Sequence, residues 1–179
     1  NLTTGNDNVI IGQSAGDVTT DTSGSVIIGM AAGGTMAAGA NANTFIGYNA
    51  GANDGTMTGD SNVAIGYNTA KTLTSGKNNT IMGAGAAVAH TTGEKNVFIG
   101  QGTVAANTGL DNCTIVGRGC TGNNGASHEF VYGSGVGGLG GNSMTIGKDS
   151  TNRIYNVFTS NATWTRSSDK RIKKDINTN

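Results

Sequence analysis

A chain of 179 residues with 11 acidic and 11 basic side chains has no global field to hold nucleic acid or an anionic membrane. Only 12% of its residues are charged, too few to keep a disordered chain expanded, and no apolar run reaches the roughly 18 residues of a membrane helix. Gly at 31 positions and Pro at none argue against long helices, because each interior Gly costs about 1 kcal/mol relative to Ala, and repetitive β-structure is what remains.

From residue 8 onward one phrase recurs. It reads "NVIIGQSAG" at 8–16, "SVIIGMAAG" at 25–33, "NTFIGYNAG" at 43–51 and "NVAIGYNTA" at 62–70. It continues as "NTIMGAGAA" at 79–87, "NVFIGQGTV" at 96–104 and "CTIVGRGCT" at 113–121, then decays into "EFVYGSGVG" at 129–137 and "SMTIGKDST" at 143–151. The anchoring glycines are Gly12, Gly29, Gly47, Gly66, Gly83, Gly100, Gly117, Gly133 and Gly147, spaced 17, 18, 19, 17, 17, 17, 16 and 14 apart. A repeat of this length predicts a solenoid with one coil per copy: an all-β, parallel β-roll of about nine coils.

Each copy has the same physical grammar. Three residues before the Gly are mostly β-branched or apolar, and in a strand the first and third share one face while the second points the other way. Ile10, Ile27, Phe45, Ile81, Phe98, Ile115 and Val131 hold the middle position, and in most copies the flanking positions are apolar too. A strand apolar on both faces needs two covers. One is the inside of its own coil; the other is a second chain, which predicts a homotrimer. The Gly is expected where a Cβ would clash or φ must be positive. The Asn or Ser that opens most copies suits a turn, and turn formation alone accounts for it; identical stacked positions could also form a ladder.

Cys113 and Cys120 fit no zinc spacing and are expected as free, buried thiols. Asp7, Asp54 and Asp60 lack the dense spacing of a calcium site, so neither metal nor cofactor is expected. "GSGVGGLGG" at 133–141 lacks the Lys of a phosphate-binding loop and reads as flexible loops or plain spacing, with receptor contact as the alternative. His90 and His128 lie between repeats without companion acids, His128 in a surface loop. Tyr48 and Tyr67, each just after an anchoring Gly, are candidate receptor contacts that could equally pack between protomers. Trp164 is expected to clamp the chains of the trimer, with receptor contact through a sugar ring as its alternative. In 151–167 the alternation of Ile154, Asn156 and Phe158 with Tyr155, Val157 and Thr159 predicts one more strand.

The repeat "N-x-x-I-G-x-x-A", seen plainly in "NVAIGYNTA", resembles the head repeats of trimeric autotransporter adhesins and similar repeats in phage tail fibres. The resemblance covers residues 8–151 and implies a left-handed roll with three chains side by side. Five of the 11 basic residues crowd into the last 14, and "SSDKRIKKDI" at 167–176 resembles the junction of the self-cleaving intramolecular chaperone domain that ends many phage tailspikes and fibres. That resemblance implies Ser168 as nucleophile, Ser168–Asp169 as the scissile bond and Lys173 as general base. A Lys can take a proton at neutral pH only when its pKa is depressed, and the cations Lys170, Arg171 and Lys174 act in that direction. Ile172 stands where Leu is usual. The chain then divides into a β-roll over 1–151, a clamping strand over 152–168 and the start of a chaperone domain over 169–179. It reads as a piece of a longer virion protein that binds a bacterial surface glycan or protein and other tail proteins, with no nucleic-acid partner and no membrane insertion. The competing readings are a bacterial trimeric adhesin at the cell surface and, because "IGQSAG" echoes a hexapeptide repeat, a left-handed β-helix acyltransferase.

Overall fold

The computed structural model describes residues 4–19, 21–53 and 55–158, with the backbone of residues 165–166. The described residues contain no helix. Nine short strands stack in parallel register to build a solenoid of about eight turns. They are β1 (Val9–Ile11), β3 (Val26–Ile28), β5 (Thr44–Ile46), β6 (Val63–Ile65), β7 (Thr80–Met82), β8 (Val97–Ile99), β9 (Thr114–Val116), β10 (Glu129–Gly133) and β11 (Ser143–Gly147). Between the first coils a lesser two-stranded sheet joins β2 (Val18–Thr19) to β4 (Thr35–Met36).

Register aligns equivalent triplet positions without slippage: Ile27 pairs with Phe45, Phe45 with Ala64, Ala64 with Ile81, Ile81 with Phe98 and Phe98 with Ile115. These middle residues are fully buried and form the spine of the core. The opposite wall of each coil is lined by small side chains, Ala32, Ala50, Thr69, Ala86, Thr103 and Cys120, which let the two walls approach across a narrow interior. The Ala and Gly content of the repeats is thus a packing requirement. Cys113 and Cys120 are buried and not bonded to one another, and burial pushes the Cys113 thiol up, away from the reactive thiolate.

The anchoring glycines satisfy both conditions expected of them. Gly100 has φ +135°, and a Cβ built on it would lie 2.5 Å from the carbonyl oxygen of Gly117 in the next coil. From Gly12 to Gly133 the same position carries φ between +131° and +145°, so the backbone stacks there as a column too close for side chains.

The Asn residues do more than turn the chain. Asn62 Nδ2 donates to Asn43 Oδ1 (3.2 Å), Asn79 Nδ2 to Asn62 Oδ1 (3.0 Å) and Asn96 Nδ2 to Asn79 Oδ1 (2.9 Å). Each of those Oδ1 atoms also accepts the backbone N–H of the next Asn, and each of these Nδ2 groups donates to a carbonyl of the following loop. Turn formation alone is therefore insufficient: a buried amide ladder runs the length of the central coils. It ends where Cys113 takes the Asn position, with only its backbone N–H bonded to Asn96 Oδ1.

One coil later the same column holds Glu129, fully buried. Its carboxylate accepts the backbone N–H of Asn123 (3.0 Å) and of Gly140 (2.7 Å). This accounts for two of the glycines in "GSGVGGLGG". Gly140 supplies the N–H, and a Cβ on Gly138 would come within 2.0 Å of Glu129 Oε1. Around these two residues the stretch wraps closely on the carboxylate instead of serving as plain spacing.

The strand expected near 151–167 is β12 (Arg153–Val157), which pairs antiparallel with β11 and then with β13 (Thr165–Arg166). Asp149 makes the reversal. Its carboxylate accepts hydrogen bonds from the N–H groups and side chains of Thr151 and Asn152, which hold it well below the usual carboxylate range.

Candidate interaction surfaces

The triplet positions on either side of each buried middle residue point away from the coil. Along the outside of the sheet they form two columns. One runs Val9, Val26, Thr44, Val63, Thr80, Val97, Thr114, Phe130 and Met144; the other runs Ile11, Ile28, Ile46, Ile65, Met82, Ile99, Val116, Tyr132 and Ile146. All are half-buried or exposed, Ile11 at 58% and Ile99 at 38%, and β12 extends the apolar edge with Ile154. Nine strands at about 4.8 Å make a stripe roughly 40 Å long, a continuous apolar surface of the kind that marks an interaction site.

Beyond the stripe lies the column that follows the anchoring glycines, and it brings Tyr48 and Tyr67 together. Their rings stack face to face, centroids 5.3 Å apart and 11° from parallel. Both are exposed, Tyr48 at 40% and Tyr67 at 58%, with Met30 exposed at the equivalent position one coil earlier. Trp164, Ser168, Asp169 and Lys173 lie outside the described residues.

On another side of the solenoid a polar cleft of about 600 Å³ is lined by Ser75, Thr92, Glu94, Lys95, Asp111, Asn112 and Ser127. One of its two carboxylates is already engaged in the fold, Asp111 Oδ1 accepting the N–H of Glu94 at 2.8 Å. Among the described residues no group of three or more His, Cys, Asp and Glu side chains is arranged to hold a metal ion.

The two histidines part company. His128 is exposed in a loop, as expected. His90 is fully buried, edge-on to Phe98 with ring centroids 5.2 Å apart, and neither ring nitrogen has a hydrogen-bond partner. Sequence reasoning had little signal for this, because "VAHTTG" lies between repeat phrases, where polar turns are expected. Burial drives its pKa from 6.5 down to about 4, opposed only in part by backbone groups at Gly93 and Asn107 and by the charge of Asp111. The unfolded chain therefore binds this proton before the folded one does. The stabilising contribution of the neutral ring is complete above about pH 6.5 and is lost as pH falls toward about 4, a swing of about 3 kcal/mol. Urea unfolding at pH 7 and pH 4.5 checks this: His90→Leu, which copies Leu73 of the preceding coil, should remove most of the difference between the two.

Among the described residues the surfaces are an apolar stripe, an aromatic stack and a polar cleft. No protein-family model, curated protein or solved structure matches the chain, so its fold and its surfaces stand on their own evidence.

Proposed function

We propose that the chain is a segment of a phage tail fibre or tailspike, a homotrimer of left-handed β-rolls that presents an attachment surface to a bacterial envelope. The observation that supports it is the half-exposed apolar stripe on the outside of the sheet. A partner must match apolar side chains at every strand step over nine layers, and another copy of the same ladder does so by construction. Three copies of each weak site, held rigidly, replace affinity by avidity toward a surface glycan or protein receptor. Beside the resemblance of the repeats, the sequence "SSDKRIKKDI" supports a virion protein over a bacterial adhesin. In the parent protein, after the chaperone has aligned the three chains, the Ser168 hydroxyl would give its proton to Lys173 and attack its own carbonyl carbon. The C–N bond to Asp169 would break, with Asp169 leaving as an amine, and water would then hydrolyse the ester and leave a chain ending at Ser168. The acyltransferase reading is not favoured, because His90 is sealed against Phe98 and His128 stands in an open loop.

Mass tests both parts. Native mass spectrometry of the 179-residue chain should read three times the 17.9 kDa of one chain. Ile46→Asp with Ile65→Asp, both on the outer column, should release monomers that keep their β-sheet circular dichroism. The complete parent protein should yield a chain ending at Ser168, and Ser168→Ala should leave it whole. A wild type that stays monomeric at high concentration would reject the trimer, and an uncut parent would hand the assignment to the bacterial adhesin.

A further inference from the structure

In the column after the anchoring glycines, side-chain volume changes abruptly. The column runs Gln13, Met30, Tyr48, Tyr67, Ala84, Gln101, Arg118, and it is fixed by backbone bonds from the residues beside it. Asn68 N–H donates to Tyr48 O (2.9 Å), Gly85 N–H to Tyr67 O (2.8 Å) and Gly102 N–H to Ala84 O (2.9 Å). From Met30 to Tyr67 every coil carries a large side chain in this column, and Tyr67 covers the face of Tyr48. At Ala84, also exposed, the filling stops for one coil, and at Gln101 a long polar side chain returns. One face of the Tyr67 ring lies against Tyr48; the other looks across this step, and Tyr67 is the more exposed of the pair.

We propose that the step at Ala84 is a carbohydrate subsite that stacks one neutral hexopyranose ring on the open face of Tyr67. This deepens the attachment reading and rests on it for its biological setting. Tyr67 and Gln101 stand two coils apart, about 9.6 Å at the usual strand spacing. A ring inserted at the level of Ala84 would then lie about one coil step from each, close to the 5.3 Å that separates Tyr48 from Tyr67. The missing side chain at Ala84 thus has the thickness of one ring. Chemistry selects the kind of ring. The Tyr67 face offers apolar area and a negative quadrupole, suited to the C–H face of a pyranose. The Gln101 amide offers both donors and an acceptor to hydroxyl groups on the opposite side. The side chains that bound the step itself, Tyr67, Ala84 and Gln101, are uncharged, which suits a neutral ring; Arg118, exposed in the same column, stands one coil beyond Gln101. A site with one stacked ring binds weakly, on the order of millimolar, and gains from repetition across an assembly.

The test uses the full 179-residue chain labelled with ¹³C in its tyrosine rings, titrated with methyl β-D-galactopyranoside and methyl β-D-glucopyranoside to about 100 mM, well above a millimolar constant. At least one glycoside should shift the Tyr67 ring signals and receive saturation transfer at its ring C–H protons. Ala84→Tyr, which extends the stack and fills the step, and Tyr67→Ala, which removes the wall, should each abolish the transfer while leaving the native mass unchanged. Silence from both glycosides would overturn the subsite and leave the trimer standing, as would binding that persists in Ala84→Tyr. Loss of the native assembly in Tyr67→Ala would also overturn it, by making Tyr67 a contact between protomers. A monomer that still binds sugar through Tyr67 would uphold the subsite and reject the trimer.

Discussion

Gly100→Ala is expected to destabilise the protein by on the order of 3–5 kcal/mol, whereas Gly102→Ala, two residues along, should cost only about 1 kcal/mol. The contrast isolates the physics. At Gly100, φ is +135°, a region closed to L side chains, and an added methyl would meet the Gly117 carbonyl oxygen at 2.5 Å and its carbon at 2.6 Å. Neither backbone can retreat, for Gly100 N–H is bonded to Met82 O and Gly117 N–H to Ile99 O on the same column. At Gly102, φ is +63° and nothing lies within 4 Å of the added methyl. The protein has already made that second substitution elsewhere, since Ala31, two residues after Gly29, sits at φ 55°. Thermal melts of the two variants beside the wild type check the prediction; equal losses would mean that backbone conformation alone, and not close stacking, demands the glycine.

The second large effect belongs to the amide ladder. Asn79→Asp changes one NH₂ to O and almost no volume, yet it should destabilise by on the order of 3–5 kcal/mol at pH 7. Asn79 Nδ2 donates to Asn62 Oδ1 (3.0 Å) and to Gly93 O (2.9 Å), and a carboxylate would set a third acceptor against those two in a fully enclosed site. The acceptor side of Asn79, which serves both the N–H and the Nδ2 of Asn96, would survive. Protonation restores one donor, so the variant's deficit relative to wild type should shrink as pH falls below neutrality. Urea titrations of both proteins from pH 7 to pH 5 measure it. A deficit independent of pH would mean that the ladder tolerates a neutral acid no better than an anion.

Much of this architecture could be read from the chain. The triplet gives the strand, its middle residue gives the core and the Gly gives the stacking column, because all three are local consequences of strand geometry repeated at one spacing. The ladder was half legible: Asn opens the copies, but a turn explains one Asn as well as a stack explains five. Glu129 and His90 were not legible. Each is a polar residue made interior by its register with other coils, and register exists only after the chain has coiled. The Tyr48–Tyr67 stack follows from two tyrosines at one repeat position. The step beside them did not, because Ala84 signals nothing alone and becomes a recess only between Tyr67 and Gln101. The Ser168 and Lys173 junction and Trp164 belong to the part of the chain outside the described residues.

Strands here bond only to the coil before and the coil after, 14 to 19 residues along the chain. Most sheet proteins must close long loops before their pairing is rewarded, and they fold slowly for that reason. In this solenoid every closure is short and each closed coil becomes the template for the next, so the ratio of contact separation to length is about 0.1, a value usual for helical bundles. The order could thus spread as a zipper from any coil that forms first. Injury to one rung would divide the ladder into two shorter cooperative blocks, each still able to grow from its own intact end.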